Sequence, residues 1–369
     1  MWMTCWLSWI LPGEFFETLI NKYKYKLKGV GPIGYHLGAD FGRDPDGTLY
    51  MSPQTYIKRF LENYSRTMGE MPKKYSSPLE KGDSPELDTS PVLGPDGVKK
   101  YQSVIGALQW VITLGRFDIA AAVMTLSRFR VEPREGHLAR ANRICGYLRK
   151  HPDAAIRFRT GIPNHEEEYA MPTHDWMYTV YGETKEEIPD DIPEPMGKAV
   201  RTTSMVDANL MHCKVTGRSA TGILTLVNQT PIEWFSKRQS TVETATYGSE
   251  FVAARIATEQ TIALRITLRD MGIPIEGPSW LFGDNQSVIT SATIPKSILS
   301  KRHNALAYHR VRGAIAAGLM YFCKIDGKEN VADIMTKFLP WAVFWPLVQP
   351  LLFWKGETEK TMCVTQPGI

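Results

Sequence analysis

Cysteine is scarce in this chain. There are five in 369 residues, Cys5, Cys145, Cys213, Cys323 and Cys363, widely scattered and never at metal-ligand spacing. That excludes a disulfide framework and a cysteine-built zinc site, and it fits a reducing, intracellular setting, cytoplasm or nucleus. Long apolar runs are missing too. None approaches the ~20 residues that span a bilayer. The aromatic stretch Trp341–Trp354 contains Pro346 and Pro350 and is expected to pack as a C-terminal segment, so no membrane partner is expected. Met1–Leu11 is apolar but has neither a basic start nor a small-residue cleavage site, so no signal peptide is expected. Internal repeats and low-complexity tracts are absent, which removes solenoids and repeat arrays.

Net charge is also small, at +4, but it is unevenly spread. Residues 1–159 carry 23 Lys/Arg against 16 Asp/Glu, residues 160–198 carry 2 against 10, and residues 199–340 carry 16 against 11. Two basic blocks flank an acidic, Pro-rich hinge. Basic blocks are compatible with nucleic-acid partners, although excesses of this size are common in ordinary domains.

Local patterns divide the chain further. Lys22–Lys28 alternates Lys with Tyr or Leu, as a half-buried strand does. Asp44-Pro45-Asp46-Gly47 between two apolar runs is a hairpin signal, because Pro presets φ and Gly accepts positive φ. A helix follows Pro53, with Tyr56, Ile57, Phe60, Leu61 and Tyr64 on one face. Residues 69–98 read as a linker, and residues 99–150 as helices broken near Gly115 and Pro133. From residue 200 the order is three strands, a long helix over 242–271, a strand, then helices. Val252, Ile256, Ala263 and Ile266 form the apolar face of the long helix, and Gly272 ends it. The expected organisation is 1–68, a linker 69–98, a helical region 99–159, a hinge 160–199, an α/β domain 200–340 and a tail 341–369.

Four carboxylates stand out in the second half. Asp207 ends the extended run 202–206, Glu250 opens the long helix, Asp284 follows the strand-like run 279–283, and Asp333 lies in a late helical turn. Two like charges ~5 Å apart at an effective dielectric of about 20 repel by about 3 kcal/mol, so selection for stability alone would not gather four. Converged, they would suit hard divalent cations, which take oxygen ligands. A pair of such ions about 3.5–4 Å apart clamps both the attacking and the leaving oxygen of a phosphodiester.

The text around these residues is specific. Val206-Asp207-Ala208, Thr216-Gly217-Arg218-Ser219, Trp234-Phe235-Ser236-Lys237-Arg238-Gln239, Thr246-Tyr247-Gly248-Ser249-Glu250-Phe251, Asp284-Asn285-Gln286-Ser287 and Ala332-Asp333-Ile334-Met335-Thr336-Lys337 occur in that order. Together they resemble the ribonuclease H domain of copia-type retrotransposon polyproteins. Upstream, Phe15–Tyr64 resembles a reverse transcriptase palm after its active-site hairpin, and 99–150 resembles the thumb and connection region. The resemblance covers nearly all of residues 15–340. It implies a mixed α/β fold: a ribonuclease H-like five-stranded sheet with flanking helices, preceded by a truncated palm remnant and a helical thumb/connection region.

By the same resemblance Asp207, Glu250, Asp284 and Asp333 hold two Mg²⁺ ions, or Mn²⁺, with Asp207 bridging them, Glu250 and Asp284 on one ion and Asp333 on the other. The substrate is the RNA strand of an RNA–DNA hybrid. Cutting only RNA requires reading the 2′-hydroxyl, for which Asn209 and Gln286 are candidates if they are not merely turn-capping amides. Arg218, Lys237 and Arg238 are phosphate-contact candidates or a solvated basic edge. His303 and His309 are candidates for protonating the leaving group, or are structural. One departure is visible: copia-type enzymes read Lys-His-Ile-Asp where this chain has Arg302-His303-Asn304-Ala305, which implies altered substrate contacts. A second concerns the family's Tyr-x-Asp-Asp. The corresponding stretch, Met1–Ile10, has no carboxylate, so reverse transcription is not expected and a frame-shifted start is one account. Other retrotransposon-encoded proteins are expected partners. Two alternatives stay open: a catalytically dead nucleic-acid-binding relic, and an integrase-like DNA nuclease with an Asp, Asp, Glu set.

Overall fold

A computed structural model describes residues 17–26, 33–169, 171, 174–299 and 302–354. The expectations for Met1–Leu11, Leu27–Lys28, Lys301 and the last fifteen residues lie outside these. The rest of the proposed Lys22–Lys28 strand is not one. Thr18–Lys22 forms a π-helical turn and Tyr23–Lys26 follow without a strand. Period-two alternation needs a neighbouring strand to pair with, and no described strand pairs there.

Upstream, a small antiparallel sheet runs in the order β1 (Tyr35–His36), β2 (Ala39–Arg43), β3 (Leu49–Ser52), β4 (Ile156–Arg157). The hairpin between β2 and β3 turns at Asp44–Gly47, with Gly47 at φ 87°. Against this sheet packs α1 (Gln54–Met68), and α2 (Pro95–Thr113), α3 (Ala120–Leu126) and α4 (Glu135–Lys150) join it in one apolar cluster. The α1 face buries Ile57, Leu61 and Tyr64 and ends at Gly69, φ 85°. Residues 69–98 carry little regular structure but are firmly pinned. Leu79 is buried, and Arg140 pairs with Asp83 and Asp88. The Lys73 carbonyl lies so near Gly146 of α4 that a Cβ there would sit 1.8 Å away.

Downstream, five strands form a mixed sheet in the order β7-β6-β5-β8-β9, with β5 (Thr202–Asn209), β6 (Ala220–Val227) and β7 (Thr230–Arg238) antiparallel, and β8 (Ser279–Gly283) and β9 (Met320–Lys324) parallel to β5. This is the five-stranded mixed sheet with flanking helices that the resemblance implied. Helices α5 (Thr246–Asp270), α6 (Gln286–Thr293) and α7 (Ala305–Ala316) flank it. The expected inner face of α5 is wrong. Ala263 and Ile266 are exposed and Val252 and Ile256 only half-buried. The stripe facing the core is Glu250, Ala253, Ala254, Ala257, Thr261, Arg265 and Leu268. Small residues let the helix lie close on the sheet, and Arg265 is tolerated because Glu186 of the acidic segment takes its guanidinium at 2.8 Å.

The two halves share one apolar core. Leu224 and Leu226 of β6, with Ile334 and Met335, join the same cluster as Leu108, Val111, Phe117 and Ile144. The helix after the sheet, α8 (Trp341–Leu352), turns back to the upstream half. It buries Phe344, Val348 and Leu352, and its Leu352 carbonyl accepts from Ala155 N at 2.8 Å. No described helix is long and apolar enough to cross a membrane.

Candidate metal centre

The site follows from strand register. β5 and β8 are parallel neighbours, with Met205 opposite Phe282. Carrying that register forward two residues sets Asp207 opposite Asp284, at the carboxyl ends of both strands, the usual ligand edge of α/β sheets. Glu250 projects from the beginning of α5. One carboxylate oxygen each from Asp207, Glu250 and Asp284 lies within 4.8 Å of the others. Asp207 is 1% exposed and Glu250 9% exposed.

Asp333 arrives by a different route. It sits in the 3-10 turn Val331–Met335, laid over β6. Gly222, the β6 partner of Asp207, makes that possible: a Cβ there would stand 2.6–2.7 Å from Thr336 Cγ2, the Ala332 carbonyl and Met335 Cβ. Buried Asn330 ties the turn to the strand, donating to the Val206 carbonyl at 2.9 Å and accepting from Ala332 N at 3.1 Å. Ser236 Oγ donates to the Met335 carbonyl at 2.6 Å. Thr336 Oγ1 donates to Asp207 Oδ2, and Lys337 Nζ lies 3.1 Å from Asp207 Oδ1 and 2.6 Å from Asp333 Oδ1.

Crowded, desolvated carboxyls hold their protons. Burial first, then the charges of Asp207 and Asp284, push Glu250 up to about 9. Burial and Asp207 push Asp333 up to about 7 against the pull of Lys337, and Asp284 is raised for the same two causes. A divalent cation would relieve this. The donors of the trio are all hard oxygens, and a cationic ammonium already nestles against two of the four carboxyls, so the residues fit such an ion.

Other candidates lie around this centre. Asn209 Nδ2 donates to the Thr336 carbonyl at 3.1 Å, so it braces the Asp333 turn. His303, with a side chain 53% exposed, does not join the carboxylates but places Nε2 3.1 Å from Glu243 Oε2. His309 Nδ1 lies 2.7 Å from Tyr181 OH. Gln286 is exposed in the first turn of α6, its amide on Thr290 Oγ1 at 3.1 Å. The Arg218 carbonyl closes the loop from Cys213. Lys237 and Arg238 line a cleft with Arg128 and His212, where α3 meets the sheet. Three site-building residues had no role in the sequence reading: Asn330, which it passed over, and Thr336 and Lys337, which it quoted only as part of the motif around Asp333. Asn330 had one legible signal, a helix-capping residue just before Asp333's turn.

Sheet order and the converging carboxyls define the class: a mixed α/β unit with an acidic cluster at one sheet edge, fused through a common core to a small sheet-and-helix region. No family model matches the chain. The chain is similar to retrovirus-related Pol polyproteins of plant transposons. It is 24% identical over 334 residues to the retrovirus-related Pol polyprotein from transposon RE1 of Arabidopsis thaliana, covering 90% of this chain and 20% of that protein. With the corresponding polyprotein from transposon TNT 1-94 of Nicotiana tabacum it is 25% identical over 325 residues, 86% of this chain and 21% of that one. The chain thus spans about a fifth of the length of the curated relatives it matches. Among solved structures, the N-terminal RNase H domain of a Mycobacterium tuberculosis protein overlays 41% of this chain and 99% of its own, with 10% identity and a TM-score of 0.29.

Proposed function

We propose that this chain is a retrotransposon-derived ribonuclease H that hydrolyses the RNA strand of RNA–DNA hybrids with divalent metal. The observation that carries this reading is the meeting of Asp207, Glu250 and Asp284 from three separate elements within 4.8 Å of one another. Asp207, Glu250 and Asp284 would hold the cation, with Asp333 beside them. A bound divalent ion supplies Lewis acidity and a nucleophilic water at neutral pH. The protein supplies the rest. Thr336 and Asn330 fix the Asp207 and Asp333 carboxyls before substrate arrives, so no reorganisation is needed at the moment of reaction. Gln286, exposed two residues beyond Asp284, would read a 2′-hydroxyl in the shallow minor groove of a hybrid. Arg218, Lys237 and Arg238 would take backbone phosphates, and His303, oriented by Glu243, would hand a proton to the departing oxygen.

The test is cleavage of a labelled RNA–DNA hybrid by the purified chain with Mg²⁺, with Mn²⁺ and with chelator, beside duplex DNA. Hybrid cleavage lost in chelator, and reduced on the order of a thousandfold or more in Asp284→Asn, is expected. Metal binding without cleavage of the hybrid would instead support the nucleic-acid-binding relic. Cleavage of duplex DNA in preference would support an integrase-like nuclease.

A further inference from the structure

The resemblance placed a second cation between Asp207 and Asp333, yet that position is where the ammonium of Lys337 lies. Nζ is 2.6 Å from Asp333 Oδ1 and 3.1 Å from Asp207 Oδ1, with the side chain one-third exposed. Among the described residues, Glu250 and Asp284, the other two carboxyls, have no such ion pair. The cluster is therefore split into a pair already holding a positive charge and a trio, sharing Asp207, without one of its own. We infer that Lys337 is a built-in cation at the Asp207–Asp333 position, so that the free protein takes up one divalent ion, at Asp207–Glu250–Asp284, and a second only by displacing Lys337. Lys337 is a positioning residue under this inference, which rests on the metal-centre reading above.

The physical reasoning is local. An ammonium is a strongly hydrated point charge on a flexible four-carbon stem. With one-third of the side chain exposed, Nζ can leave for water, but only by giving up two short charge-assisted bonds. A second ion must overcome those bonds and repel a nearby positive charge. Lys337 lies four residues beyond Asp333, and the Lys337 N–H donates to the Asp333 carbonyl at 2.9 Å, so both charges belong to one turn. That turn is anchored through Asn330 and Ser236 to β5 and β7. The ammonium is thus positioned by the same backbone that positions the carboxylate it neutralises.

The test counts ions rather than products. Mn²⁺ is titrated into the full chain and bound ions are counted by electron paramagnetic resonance and calorimetry, with no nucleic acid present. Wild type is expected to bind one ion. Lys337→Met, similar in volume and uncharged, is expected to bind two, the second roughly tenfold or more tighter than any second event in wild type. Lys337→Arg keeps a permanent charge and is expected to stay at one. Metal-free Lys337→Met is expected to melt below wild type and to regain the difference with Mn²⁺. If the uncharged variant is too unstable to titrate, the wild-type and Lys337→Arg counts still decide. Two ions of similar affinity in wild type would overturn the inference while leaving the metal centre standing. No bound ion in wild type would overturn both.

Discussion

Two buried aspartates separate the halves of this molecule. Asp118, in the upstream half, is 2% exposed, and its carboxylate is fully answered. Arg116 grips it with Nε and Nη2 at 2.8–3.3 Å, Tyr147 OH donates at 2.6 Å, and the remaining Arg116 nitrogen donates to the His151 carbonyl. Asp207, in the downstream half, is 1% exposed and faces two further carboxyls, with one hydroxyl and one shared ammonium for compensation. Equal burial thus serves opposite ends. The first aspartate is neutralised by the fold itself and fixes the packing of α4. The second is left short of positive charge, and that shortage is what would draw a cation to the proposed metal centre. A chain selected for stability alone would not leave this carboxylate short of a partner: it would pair it, as at Asp118, or replace it by an apolar residue.

The comparison breaks most visibly upstream. Arg116→Met should cost about 3–5 kcal/mol in urea denaturation, because it strands a buried carboxylate that water cannot reach. Replacing Arg116 and Asp118 together by apolar residues should recover most of that loss, since no charge is then left unpaired. Gly222→Ala comes next. Its methyl would collide with the Ala332 carbonyl and Thr336, so the Asp333 turn must lift. A loss of about 1–3 kcal/mol is expected. Calorimetric Mn²⁺ titration should show weakened binding in the same variant. A Gly222→Ala protein with wild-type stability and metal affinity would mean that the turn does not rest on β6 as described.

Downstream, the sign of the response should invert. Glu250 and Asp333 are pushed up to about 9 and about 7, so their folded forms hold protons that the unfolded chain releases at ordinary carboxylate pH. Stability from this source is complete below about pH 4 and is lost as pH rises, through about 7 for Asp333 and about 9 for Glu250. Metal-free protein should therefore lose on the order of 1–3 kcal/mol between pH 5 and pH 8. Mg²⁺ should cancel that slope, because it binds the deprotonated cluster. Asp207→Asn, which removes the central charge, should raise the metal-free melting temperature, a gain of about 1 kcal/mol, while abolishing the benefit of Mg²⁺. A thermal scan in which Asp207→Asn melts lower than wild type without metal would show that Asp207 is compensated after all.

The two halves were not equally legible. Downstream, each acidic residue closes a recognisable unit: Asp284 follows the fully buried five-residue strand Ser279–Gly283, and Asp207 extends an earlier one. Strand ends in sequence became strand ends at one sheet edge. The inner face of α5 was misread because large aliphatics were weighed above spacing. The face laid on the sheet is built of alanines, threonines and a salt-bridged arginine, and those types read as solvent-facing. Partner identity was equally hidden. Apolar periodicity says that Leu224 and Ile334 are buried, but not that they are buried against upstream helices such as those carrying Leu108 and Ile144. Nor could composition show that the acidic segment ends on Arg265 and Arg269 through Glu186, because a run of carboxylates reads as a solvated hinge until its cations are located.

The smallest expected effect sharpens the comparison furthest, because it concerns a buried carboxylate whose partner is open to water. Glu243 is buried with its side chain 4% exposed, and its hydrogen-bond partner His303 is 53% exposed. Deleting His303 opens a path by which water can replace the imidazole, whereas nothing can replace Arg116 at Asp118. Surface ion pairs contribute at most about 1 kcal/mol. His303→Ala should therefore change urea-denaturation stability by less than about 0.5 kcal/mol, even though it removes the partner of a buried acid. Its effect should fall on cleavage, roughly tenfold to a hundredfold in kcat, if proton delivery to the leaving oxygen is its task. A stability loss near that of Arg116→Met would mean that burial of the carboxylate, and not the solvent access of its partner, sets the cost.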